Sequence, residues 1–140
     1  MITHRSQYGE GYDCLSLDWD KEYRRPVLTF YFGDNPYVHI LRSAEDIGAL
    51  LPVLVEQASS AEVCDGAVKL TYVIASFDRH FVFHVAPIHD KDTEHEFIIT
   101  ENEALVLHAA LQSYCADVLK DNLGTPGSQD EVDNQENGDA

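Results

Sequence analysis

The 140-residue chain has 44% apolar and 24% charged residues, ordinary globular proportions that exclude disorder over its whole length and let one domain bury a core unaided. Its 25 acids face 9 Lys and Arg, a formal net charge of −16, and a field of that sign repels phosphate backbones and anionic lipid. Three scattered cysteines in no CxxC pattern, no apolar run of the ~18 residues that span a bilayer, and no signal-peptide core over residues 1–11 place the expected location in the cytoplasm.

In chain order, the first regular pattern is an alternation over residues 12–20, with Leu15, Leu17 and Trp19 on one face. Val27 to Phe32 reads as a second strand, with Leu28, Phe30 and Phe32 together. Gly33, Asp34, Asn35 and Pro36 supply turn chemistry before a third strand from Tyr37 to Leu41. Ser43, with Asp46 three residues on, approximates a capping box, and Ile47, Leu50, Leu51, Leu54, Val55 and Ala58 follow at helical spacing. Pro52 inside that stretch predicts a kink or a break.

After a loop at Cys64 to Gly66 the plan repeats. Strands are expected around Leu70–Ile74, Phe81–Val85 and Phe97–Ile99, the last two separated by a polar loop from His89 to Glu94. Thr100 and Glu103 form a full T-x-x-E box opening a helix through Ala104, Leu107, His108, Leu111, Cys115, Val118 and Leu119. The two caps and the two helix stripes match at a constant offset of 57 residues. The expected fold is therefore α+β: two βββα repeats, residues 10–60 and 67–120, with antiparallel sheet and two helices packed on one face. Beyond position 121 the composition collapses to Gly, Ser, Asn, Gln and acids, which predicts a disordered acidic tail over 121–140. That stretch carries −6, and residues 1–120 carry −10, so the body is acidic in its own right.

Alternation assigns Leu15, Phe30, Ile40, Tyr72, Phe83 and Phe97 to the helix-covered face. Val27, Thr29, Tyr31, Tyr37, His39, Thr71, Val73, Val82 and His84 fall to the opposite one. The opposite face is apolar and aromatic enough to meet a partner, with Tyr31, Tyr37, His39, Val73 and His84 as its interface and a second copy of the chain as one possible occupant.

Five of the seven histidines lie between His80 and His108. His80 and His84 share a strand face but stand about 13 Å apart at ~3.3 Å per residue, too far to share one metal ion. A metal would need His84 with His39, or a loop group of His89, Asp90, Asp92 and His95, and no metal or other cofactor is assigned. His108 and Cys115 sit on an apolar helix stripe and read as structural. Phosphate loops, HExxH, GxSxG and zinc-ribbon spacings do not occur in the chain, so catalysis is not the expected role.

The acidic body points to a binding protein that occupies a basic surface, normally one that acts on nucleic acid. Immunity proteins of toxin nucleases and phage-type inhibitors that mimic DNA charge work in this way. Candidate contacts are Asp13, Asp18, Asp20 and Glu22 near the first strand and Asp90, Asp92, Glu94 and Glu96 in the second half. The alternatives are a phage-type single-strand-binding protein, its groove made from Tyr31, Tyr37, Arg24, Arg25 and Arg42, and a dimeric acidic secretion chaperone.

Overall fold

A computed structural model describes residues 2–5, 13–33, 35–75, 78–87 and 93–124, without the side chains of residues 5 and 122–124. Two antiparallel four-stranded meanders succeed one another, each followed by a helix. The first comprises β1 (Ile2–Arg5), β2 (Cys14–Asp20), β3 (Arg25–Phe32) and β4 (Asn35–Ile40), then α1 (Ala44–Leu54). The second comprises β5 (Ser60–Val63), a 3-10 turn (Cys64–Gly66), β6 (Val68–Ala75), β7 (Asp78–Val85) and β8 (His95–Thr100), then α2 (Glu101–Gly124). The repeat plan holds, with one more strand per half than the alternation gave. β1 and β5 are four residues each, too short to display a period.

Both helices start where the caps place them. The Ser43 hydroxyl accepts the Asp46 N–H at 3.1 Å. Thr100 and Glu103 bond reciprocally, the Glu103 N–H to the Thr100 hydroxyl and the Thr100 N–H to the Glu103 carboxylate. Pro52 does not break α1, which runs through it and ends two residues later at Leu54. Gln57 N–H bonds to Pro52 C=O and Glu56 N–H to Val53 C=O, the paired closure of a Schellman motif, with Glu56 in the left-handed position at φ 65°. The second helix reaches Gly124, past the expected tail boundary at 121. Asp121 belongs to the folded body, with its carboxylate 2.7 Å from Arg24 Nε and 3.5 Å from Arg25 Nη1. The rest of the expected tail, 125–140, lies outside the described residues.

Cross-strand partners share a face, so the register decides what is buried. In the first sheet Leu15 faces Phe30, which faces Tyr37, and Leu17 faces Leu28, which faces His39. In the second, Leu70 faces Phe83, which faces Phe97, and Tyr72 faces Phe81, which faces Ile99. These inner faces meet directly: Phe30 lies 5.2 Å from Phe83 and 6.1 Å from Phe97, ring centre to ring centre. Ile47, Leu50, Val53 and Leu54 of α1 and Ala104, Leu107, Leu111 and Val118 of α2 complete one shared core.

The register corrects the face assignment in β4. Phe32 pairs with Asn35, so only two residues connect β3 and β4, and Asn35 and Pro36 are strand rather than turn. That moves the strand's parity by one residue: Tyr37 and His39 face the core and Ile40 faces outward. His39 is 1% exposed. Tyr37 packs edge-on against Phe32 and His95, with ring centres 5.3 Å away in both cases. Among the described residues, no helix is long and apolar enough to cross a membrane.

Candidate functional site

The outer face of the first sheet holds a shallow hollow of about 270 Å³, lined by Ser16, Asp18, Trp19, Asp20, Val27, Thr29 and Tyr31. Its origin is local. Ser16 and Thr29 are paired across β2 and β3 and are short, so they form a low floor between Tyr31 at one end and Asp18 with Val27 at the other. Tyr31 is 40% exposed. Asp20 is committed to the β2–β3 turn, where one carboxylate oxygen accepts the Glu22 and Tyr23 N–H groups at 2.9 Å each. Asp18 is exposed, accepts the adjacent Trp19 N–H at 2.8 Å, and makes no ion pair with any described residue. A guanidinium or ammonium entering the hollow would meet a carboxylate at one end and an aromatic side chain at the other.

The remaining expected contacts are distributed. Asp13 braces the β3–β4 connection by accepting the Gly33 N–H at 3.2 Å, and Glu22 is exposed in the β2–β3 turn. Glu94 and Glu96 stand on the outer face of the second sheet and flank His84, whose Nδ1 is 3.3 Å and 3.7 Å from their carboxylates. Lys69 and Glu62 continue that cross-strand row. Asp90 and Asp92 lie outside the described residues, as does His89. Among the described residues the expected acids are spread: Asp13 and Glu22 stand beyond opposite ends of β2, and Glu94 and Glu96 flank His84 on the other sheet. Val73 and His84 face outward as expected, together with Tyr31; Tyr37 and His39 do not.

The alternative groove is not assembled. Tyr31 and Tyr37 are on opposite faces of the sheet, Arg24 and Arg25 are engaged by Asp121, and Arg25 Nε donates to the Arg42 carbonyl at 2.8 Å. His39 and His84 lie on different sheets, His39 inward and His84 outward. Among the described residues, no three His, Cys, Asp or Glu side chains converge to hold a metal. His108 is half-buried, and the Cys115 thiol sits 3.9 Å from the Ala44 carbonyl as a packing contact.

A second hollow, about 220 Å³, was not legible in the sequence. It lies where the halves meet and is lined by Val38, His39, Ile40, Arg42, Asp46, Cys64 and Asp65. The Cys64 thiol points to the Ile40 carbonyl at 3.6 Å. Burial first, then the nearby Asp46 and Asp65 carboxylates, push that thiol up to about 11, so it stays protonated and is a poor nucleophile. Among the described residues neither ring nitrogen of His39 makes a well-formed hydrogen bond. Burial lowers its pKa, and the Ala86 backbone opposes that shift without overcoming it. The only sequence signal here was the Cys64-Asp-Gly66 loop, whose three residues all adopt positive φ.

Compared with models of known protein families, with curated proteins and with solved structures, the chain matches none. Charge and geometry carry the functional reading alone.

Proposed function

We propose that this protein is an acidic binding protein that inhibits or neutralises a basic, nucleic-acid-acting protein partner in the cytoplasm, by binding rather than by catalysis. The observation that carries the reading is the hollow between Asp18 and Tyr31. A carboxylate with no ion pair among the described residues and an exposed aromatic ring stand on a rigid sheet in a chain of charge −16. A sheet holds both groups in place before binding, so little ordering entropy is lost when an Arg or Lys enters. The surrounding negative field supplies fast, salt-sensitive encounter. The Glu94 and Glu96 patch on the second sheet adds a second contact for a partner with an extended basic surface.

The test is capture by the immobilised full chain from a lysate of the source cells, at low and moderate salt, with and without nuclease treatment. Wild type is compared with an Asp18→Asn, Tyr31→Ser double variant. The expected result is a basic protein that survives nuclease treatment, elutes as salt rises, and is lost from the double variant. Recovery of nucleic acid alone, or equal retention by the variant, would refute the assignment; the first outcome would favour the single-strand-binding alternative.

A further inference from the structure

The longest helix has an exposed face that no other described element covers. Ala104, Leu107, Leu111 and Val118 of α2 enter the core. On the other side Leu105, Ala109, Gln112, Ala116 and Leu119 are all exposed, the two leucines at 56% and 49%, with Val106 beside them at 47%. The spacing is 4-3-4-3, which keeps the five residues on one narrow stripe about 21 Å long at 1.5 Å per residue. No Asp, Glu, Lys or Arg occurs between Glu103 and Asp117. In a chain carrying 25 acids, an uncharged exposed helix face of that length stands apart from the rest of the surface.

We infer that this stripe is a homodimer surface, on which two copies of α2 cross antiparallel about a two-fold axis at Gln112. The stripe is almost palindromic: Leu105 lies seven residues before Gln112 and Leu119 seven after, while Ala109 lies three before and Ala116 four after. Antiparallel apposition therefore sets Leu105 against the partner's Leu119, Ala109 against the partner's Ala116, and Gln112 against its own copy. Such self-complementarity is what a two-fold contact requires, because each residue must suit the one that meets it. The alanines let the helix axes approach closely, the leucines close the two ends, and the paired Gln112 amides hydrogen-bond across the axis.

Antiparallel apposition also opposes the two helix dipoles favourably. Two copies of charge −16 repel over the rest of their surfaces, so the uncharged stripe is where they approach at least cost. One helix face is smaller than a standard interface, which predicts a weak, reversible dimer. It also sets the sign of the salt effect: added salt screens the repulsion and strengthens the dimer, whereas it weakens capture of a basic partner. The two proposals are therefore separable in one titration.

Sedimentation velocity on the full chain, from about 5 μM to about 500 μM, covers the range expected of an interface below standard size. The expected result is an average mass that rises towards twice the monomer with concentration, more steeply at higher salt. Leu105→Glu should weaken association at least tenfold without changing the far-UV spectrum. Gln112→Cys, placed on the axis, should form a disulfide-linked dimer on mild oxidation. Wild type, with Cys14, Cys64 and Cys115 all half-buried, and Asn102→Cys, away from the axis, should not. A monomer at every concentration overturns the inference. So does a dimer indifferent to Leu105→Glu and not trapped by Gln112→Cys, which would place the contact on another surface, the outer sheet face included.

Discussion

Replacing His39 with leucine should stabilise this protein and remove part of its sensitivity to acid. The imidazole is 1% exposed, and among the described residues neither of its nitrogens completes a hydrogen bond, the Ala86 backbone offering only a partial one. An orphaned buried polar group costs about 1–3 kcal/mol. Leucine has similar bulk and no polar atoms, and imperfect fit is expected to return less than about 1.5 kcal/mol. The net runs from about −0.5 to about 3 kcal/mol, so a gain of roughly 1 kcal/mol is expected, with an unchanged denaturant slope.

The pH dependence has a definite sign. Burial lowers the folded-state pKa of His39 below 6.5. Above pH 6.5 the residue is neutral in both states and adds no slope. As pH falls below that value the unfolded chain takes up a proton that the folded chain refuses. Stability then declines by at most about 1.4 kcal/mol per pH unit, until the folded-state pKa is passed. Urea unfolding at pH 8.0 and at pH 5.0, on wild type and His39→Leu, measures both effects. The variant should be more stable at pH 8.0, and the difference should widen at pH 5.0. A variant less stable than wild type at pH 8.0, with the same acid slope, would refute the argument that His39 is buried neutral and unsatisfied.

Three further outcomes are expected. Phe30→Ala should cost about 3–5 kcal/mol and lower a single cooperative transition seen by both fluorescence and circular dichroism, because Phe30 packs against both Phe83 and Phe97 and joins the halves into one core; two separate transitions would contradict a shared core. Thr100→Ala removes the hydroxyl that accepts the Glu103 N–H and should lower stability by about 0.5–2 kcal/mol in denaturant titration. With its thiol pushed up to about 11 from 9.0, Cys64 should alkylate at pH 8 about 100-fold more slowly than an unperturbed thiol through its lower thiolate fraction alone, which peptide mapping after timed iodoacetamide treatment reads directly.

How much of this was legible in the sequence depended on whether the signal was local. A capping box is written in four consecutive residues and a buried strand in its alternation. Ser43, Thr100 and Glu103, and the inward sets of β2, β3, β6, β7 and β8, were therefore fixed before any tertiary contact was considered. The outward placement of Asp18 and Tyr31 was legible as well, because both lie on strands whose parity was clear. Pairing partners were not written locally. β1 and β5 are strands because β2 and β6 offer them edges, not because four residues declare a period. In β4 the tight two-residue connection, rather than the turn-like Asn35 and Pro36, set the register, and one residue of slip carried Tyr37 and His39 from the surface to the core. The same chain-distant packing brought Cys64 to Ile40, and left one face of α2 uncovered by any described element. Sequence by itself determined the longer elements, the helix caps and the acidic charge. Only the tertiary structure decided which side chains that charge surrounds, because a strand's parity belongs to the sequence while its register belongs to the neighbour it pairs with.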